Sequence, residues 1–203
     1  GRMSSRRASV ALAFAAALGP TAAVGLTGCT AESAPPAETQ EVSPQQTEAV
    51  EFAPATGTEV ATDEYTFRLP DGWGFPDGAP DGFDPTTFAA DLQDDDDYPD
   101  NVNILVSPGG EVTSEQVEQS GIDELEGAGA TDVKTLDRVT AAGSESAHLT
   151  ATVSTGEVPY VIDQYYLVDA GQTYIVTFSS SVDVPQEDRD AVAMSVLATW
   201  QWV

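Results

Sequence analysis

The sequence predicts an α+β domain, an antiparallel β-sheet with helices packed on its faces, and three observations carry that prediction. The first is the stretch from Val158 to Val182, VPYVIDQYYLVDAGQTYIVTFSSSV, in which two runs rich in Val, Ile, Tyr, Phe and Thr flank a turn at Asp169-Ala170-Gly171. This is the pattern of a β-hairpin, with Gly171 where a short loop needs positive φ. In the first arm Tyr160, Ile162, Tyr166 and Val168 point one way and Val161, Tyr165 and Leu167 the other. In the second, Tyr174, Val176 and Phe178 oppose Thr173, Ile175 and Thr177. A strand pair apolar on both sides needs cover on both sides. The second observation is a helix start at Thr113, which has capping-box spacing to Gln116 and is flanked by Val112 and Val117 at staple spacing. The third is a C-terminal stripe of Val192, Ala193, Val196, Leu197 and Trp200, opening at Pro185 and able to cover a sheet.

In chain order, Tyr65, Phe67 and Leu69 alternate with Thr66 and Arg68 as a first strand, which Pro70 ends before the turn Asp71-Gly72-Trp73. The stretch that follows is rich in Gly and Pro and excludes regular structure. A short helix is expected from Asp84 to near Leu92, with Asp84 as cap, Pro85 at the first helical position, and Phe83 and Phe88 as a staple. Asn101 to Val106 reads as a buried strand. The helix begun at Thr113 carries Ile122 and Leu125 and ends at Gly127 or Gly129. Asp132 to Thr140 and Ser146 to Thr155 are two further strands. In the second of them Ala147, Leu149, Ala151 and Val153 share one face, leaving His148 with Thr150 and Thr152 on the other.

The N-terminus has another character. A basic start through Arg7 precedes an apolar run from Ala8 to Val24 and then Leu26-Thr27-Gly28-Cys29, the three regions of an export signal in order. These four residues resemble the lipobox of bacterial lipoproteins, in which the cysteine thiol receives diacylglycerol and the preceding peptide bond is cleaved. Arg6-Arg7 is the pair that a twin-arginine export route would read. Residues 30–58 hold no Lys or Arg and only Phe52 as an aromatic, too little apolar surface to offset ordering entropy. The expected organisation is therefore 1–28 signal peptide, 29–58 lipidated Cys29 with a disordered tether reaching roughly 30 Å, and 59–203 an α+β binding domain.

Charge restricts partners. The formal net charge is −27, and from Cys29 onward four basic residues face 34 acidic ones. Nucleic acid and anionic head groups are repelled by such a surface. Cys29 is the single cysteine, so the domain is expected to lack disulfides and cysteine metal sites. A serine hydrolase needs an imidazole base, and His148 is the one histidine; Ser144 and Ser146 lie near it without a nucleophile-elbow motif. His148 is read as a solvated strand residue, and no catalytic residue or cofactor is assigned. Asp94, Asp95, Asp96, Asp97 and Asp100 are weak candidates for calcium, the ion an oxygen-rich loop would take. Their spacing departs from the EF-hand pattern, so the loop reads first as a solubilising surface. Trp73, Phe75, Phe83 and Phe88 are candidate lining for a ligand groove, or else a lid over the core.

The run Tyr65-Thr66-Phe67-Arg68-Leu69-Pro70-Asp71-Gly72-Trp73, the Tyr-rich hairpin and the terminal helix ending in Thr199-Trp200 resemble the PsbP-like α/β/α sandwich. With the lipobox and Pro/Glu/Thr-rich tether, the chain resembles actinobacterial lipoproteins of the LpqN type. Members of this sandwich family include an extrinsic photosystem subunit and a nuclear-transport factor that binds a small GTPase. The resemblance implies binding or assembly, and it carries over no functional residues. The expected protein is a monomeric, membrane-anchored, extracytoplasmic lipoprotein whose non-catalytic domain binds a protein or envelope component; an envelope hydrolase or a calcium-dependent module is the alternative. If Cys29 is the acylated residue, Cys29→Ser yields a precursor that incorporates no label from a radioactive fatty acid; label retained in that variant refutes the lipobox assignment.

Overall fold

The hairpin is the middle of the fold. The structure is a computed structural model that describes residues 52–77, 87–154 and 156–203. In order, the elements are β1 (Glu59–Ala61), β2 (Tyr65–Arg68), β3 (Trp73–Gly74), β4 (Phe88–Asp91), β5 (Asn101–Val106), α1 (Ser114–Gly127), β6 (Ala130–Ala141), β7 (Ser144–Val153), β8 (Tyr160–Asp169), β9 (Gln172–Ser181), α2 (Gln186–Leu197) and β10 (Gln201–Trp202). The long strands form a seven-stranded sheet in the order β3-β4-β5-β9-β8-β7-β6, and β1-β2-β10 form a smaller one. Every neighbouring pair is antiparallel.

Alternation along β8 and β9 sends side chains to two cores. Tyr160, Ile162, Tyr166 and Ile175 pack with Ala147, Leu149, Ala151 and Val153 of β7 and with Val117 and Leu125 of α1. Tyr165, Leu167, Tyr174, Val176 and Phe178 pack on the other face with Ala193, Val196 and Leu197 of α2 and with Tyr65, Phe67 and Trp200. The two-sided apolar hairpin thus has the two-sided cover it requires. Trp200 joins the small sheet to this second core, stacking on Tyr65 at 4.5 Å and on Phe67 at 5.1 Å between ring centroids.

Local chemistry explains the element ends. Thr113 accepts from the Gln116 amide while the Gln116 side chain accepts from the Thr113 amide, a complete capping box. Gly129, at φ 95°, turns the chain out of α1 in the left-handed region. The hairpin closes by a two-residue turn in which Ala170 (φ 48°) and Gly171 (φ 78°) both have positive φ, the type I′ geometry that matches strand twist.

Several expectations are corrected. The helix expected from Asp84 to Leu92 is, over its described part, strand β4, whose residues pair Phe88 with Asn103 and Ala90 with Asn101. Helix-start residues raised a helical expectation there, yet this short run satisfies its backbone in the β5 ladder, with Phe88 and Ala90 on one face and Ala89 on the other. Asp84, Pro85 and Phe83 lie outside the described residues. The terminal helix stops at Leu197, and the chain turns through Trp200 into β10, which pairs with β2. Strands β1, β3 and β10 have two or three residues each, too few to show a period. The folded unit also takes in residues that sequence composition assigned to the tether. Ala55 is buried and donates its amide to the Ser195 carbonyl, and the Gly57 amide donates to the Leu69 carbonyl. Residues 29–51 of that tether and the signal segment lie outside the described residues.

At Gly57 a Cβ would lie 2.5 Å from the carbonyl oxygens of both Leu69 and Pro70. Gly57→Ala is therefore expected to cost about 1–3 kcal/mol in urea unfolding, the range for overpacking against atoms that cannot rotate away. A cost within error of zero would show that residues 55–58 do not dock as described.

Candidate functional site

The face of the sheet under α2 holds a buried polar cluster that begins with Asp163 on β8. This carboxylate is 1% exposed in a strand rich in Tyr, Ile, Val and Leu. Register brings β7 beside it, with Thr150 opposite Asp163 and His148 opposite Tyr165. His148 Nε2 donates to Asp163 Oδ1 at 2.8 Å, the direction required because an ionised carboxylate only accepts. Helix α2 supplies the rest. Arg189 Nε donates to Asp163 Oδ2 at 2.7 Å, and Gln186 Nε2 donates to Asp163 Oδ1 at 2.9 Å and to Asp190 Oδ1 at 2.7 Å. Arg189 also donates to the Val184 carbonyl and to Gln186 Oε1. Burial alone would raise the Asp163 pKa, but hydrogen bonds from His148, Gln186 and Arg189 outweigh it and hold the carboxyl below its ordinary value.

A groove of about 340 Å³ opens over this cluster. His148, Tyr165, Gln186 and Asp190 line it together with the apolar Phe52, Leu136, Val139 and Met194. The His148 ring stacks on Tyr165 at 4.4 Å. At the rim, Arg138 is held by a bidentate pair with Glu118 and a third bond to Glu145, each at 2.7 Å.

The position of His148 corrects the sequence reading. It is buried and hydrogen-bonded to Asp163, where strand alternation beside two Thr residues suggested a solvated group. Its face is polar because it belongs to this cluster. Asp163, Gln186, Arg189 and Asp190 were not singled out from the sequence. A signal existed for one of them, since Asp163 is the lone charge inside an apolar strand run. Ser146, weighed as a nucleophile, has its hydroxyl committed to backbone: it donates to the Ala147 carbonyl and accepts from the Tyr166 amide, each at 2.8 Å.

The aromatic groove anticipated at Trp73, Phe75, Phe83 and Phe88 does not assemble from its described members. Trp73 is buried in the α2-side core with Ala89, whereas Phe88 packs with Ala90 on the opposite face of β4; Phe75 is 43% exposed, and Phe83 lies outside the described residues. In the acidic loop, the two Asp94 carboxylate oxygens accept the amides of Asp96 and Asp100, and Asp96 accepts the Tyr98 amide at 2.6 Å. Asp94 and Asp96 are thus engaged by the loop's own backbone, and Asp95 and Asp97 are exposed. Asp100 is half-buried, and desolvation with the neighbouring Asp94 charge raises its pKa to about 6.

The described chain is an α+β sandwich with a partly apolar groove under its second helix, and among the described residues no helix is long and apolar enough to cross a membrane. Solved structures that it resembles include LpqN, involved in cell envelope biogenesis of Mycobacterium tuberculosis, at TM-score 0.48 and 13% identity over 68% of this chain and 83% of that one. Cyanobacterial PsbP (CyanoP) of Synechocystis sp. PCC 6803 matches at TM-score 0.42 and 15% identity, over 76% of this chain and 96% of its own. The Ran-binding protein Mog1p of Saccharomyces cerevisiae matches at TM-score 0.42 and 13% identity, over 70% and 85%. These likenesses concern the fold. No protein-family model matches the chain, and no curated protein does.

Two carboxylates titrate in opposite senses. The raised Asp100 pKa means that its contribution to stability is full below its unfolded value near 4 and is lost as pH rises through about 6. The lowered Asp163 pKa means that its contribution is full above about 4 and is lost as pH falls through its lower folded value. Melting temperature is therefore expected to rise from pH 7 to pH 5 and to fall below pH 4. Asp100→Asn flattens the upper limb. Asp163→Asn is expected to cost about 3–5 kcal/mol at pH 7, because it strands the buried Arg189 charge; a cost under about 1 kcal/mol contradicts the described pairing.

Proposed function

We propose that this protein is a lipid-anchored, extracytoplasmic binding module, held to the membrane through Cys29 and presenting the α2 groove to a protein or envelope component. The observation that carries the reading is the make-up of the groove. Its walls are partly apolar, the Asp163 and Asp190 carboxylates at its floor already have partners, and Ser146, two residues before the histidine, has its hydroxyl committed to backbone bonds. Such a site favours holding a group over activating one. Phe52 adds an aromatic ring to the groove lining. The acidic surface favours partners that offer basic groups at the rim.

A photo-crosslinking residue placed at Asp137, an exposed position lining the groove, is expected to give a discrete adduct in intact cells. The same residue at Glu126, exposed at the end of α1, is expected to give none. Equal adducts at both positions, or none at Asp137, refute the groove as the contact surface. Loss of the adduct in Cys29→Ser shows that anchoring precedes encounter.

A further inference from the structure

The floor of the groove brings together one imidazole and two carboxylates from three separate elements. One donor atom from each of His148, Asp163 and Asp190 lies within 4.8 Å of the others. We propose that this is a binding site for a divalent transition-metal cation of the zinc class, with His148 Nε2, an Asp163 oxygen and an Asp190 oxygen as its protein ligands.

Four features of the site point to a cation. Two carboxylates converge there against the single guanidinium of Arg189, which leaves negative charge for a dication to offset. A single Gln186 amide nitrogen now donates to both carboxylates, at 2.9 and 2.7 Å. It occupies the place a bridging cation would take, on a long side chain that can rotate aside. The Nε2 proton of His148 sits between nitrogen and Asp163 oxygen across 2.8 Å. A tetrahedral ion with bonds of about 2.0–2.1 Å needs its ligands about 3.3 Å apart. The metal is therefore admitted when His148 and Asp163 part by roughly half an ångström and Asp190 closes by up to about 1.5 Å, with the imidazole proton moved from Nε2 to Nδ1. Arg189 remains on Asp163 Oδ2 and orients that carboxylate from outside the coordination sphere.

The fourth feature is independent of the ligand set. The Tyr165 hydroxyl is fully buried, belongs to a residue lining the same groove and has no hydrogen-bond partner among the described residues. An orphaned buried hydroxyl is costly, and a water in the metal's open fourth position supplies its partner. The imidazole selects zinc-class ions over calcium or magnesium, which favour all-oxygen shells. The cation site does not depend on the anchoring or partner proposed above.

The test uses the full chain with Cys29→Ser, so that the free thiol cannot compete. Titration calorimetry with zinc chloride is expected to show one site per chain. Cobalt in its place is expected to give the intense visible absorption of a tetrahedral centre. Asp190→Asn, at a half-buried position on α2, is expected to weaken binding at least tenfold without changing far-ultraviolet circular dichroism. His148→Gln, which keeps a donor for Asp163, is expected to do the same. Gln186→Glu replaces the competing amide with a ligand and is expected to tighten binding about tenfold. Absence of one-to-one binding overturns the site, as does binding that Asp190→Asn and His148→Gln leave unchanged, because that assigns the ion to surface carboxylates.

Discussion

A carboxylate buried in the middle of a β-sheet must be answered by donors, and Asp163 imposes that requirement on the elements around it. Its own strand offers none on that face, where Tyr165 and Leu167 are its neighbours. The donors come from His148 on β7 and from Gln186 and Arg189 in the first turns of α2. These bonds fix how α2 lies on the sheet with more directional precision than the apolar contacts of Ala193, Val196 and Leu197 can, since hydrophobic burial is non-directional. Buried charge of this kind is costly to form and more costly to break by halves. Its structural return is a defined seat for the helix, and with it the groove between that helix and β6.

The opposite face solves the same problem with neutral groups. There Gln164 donates to Thr177 and accepts from the Tyr166 hydroxyl, and α1 closes over the strand with Gly121 against Leu149. A Cβ at Gly121 would come within 2.5 Å of the Leu149 side chain, so the small residue sets the distance of approach. One hairpin therefore serves two unlike cores. The neutral side under α1 is packed and capped; the ionic side under α2 opens into a groove. The functional proposals rest on the second side because polar groups there meet a surface that a ligand can reach.

Charge acts at a longer range. Of the four basic residues that stand against 34 acidic ones after Cys29, three sit in ion pairs among the described residues. Arg189 answers Asp163, Arg138 joins Glu118 and Glu145, and Arg68 joins Glu59. The two surface clusters are worth little individually, whereas removing one member of the buried pair leaves an uncompensated charge in the core.

By itself the sequence determined the fold class, the hairpin with its two apolar faces, the capped helix at Thr113 and the strand alternation that sorts β7. Each of these is a local period or a local cap, and such signals survive in one dimension. It also suggested the lipobox at Cys29, which is a contiguous motif. Tertiary structure decided what local signals could not. The run at Phe88 became a strand because β5 offered a ladder, against the helix-start residues before it. Trp200 left the helical stripe because β10 completes a sheet with β2. Above all, His148 lies 15 residues from Asp163 and Arg189 a further 26, so their meeting required both the β7–β8 register and the docking of α2. A lone histidine beside threonines looks solvated until the strand opposite brings a buried carboxylate to it.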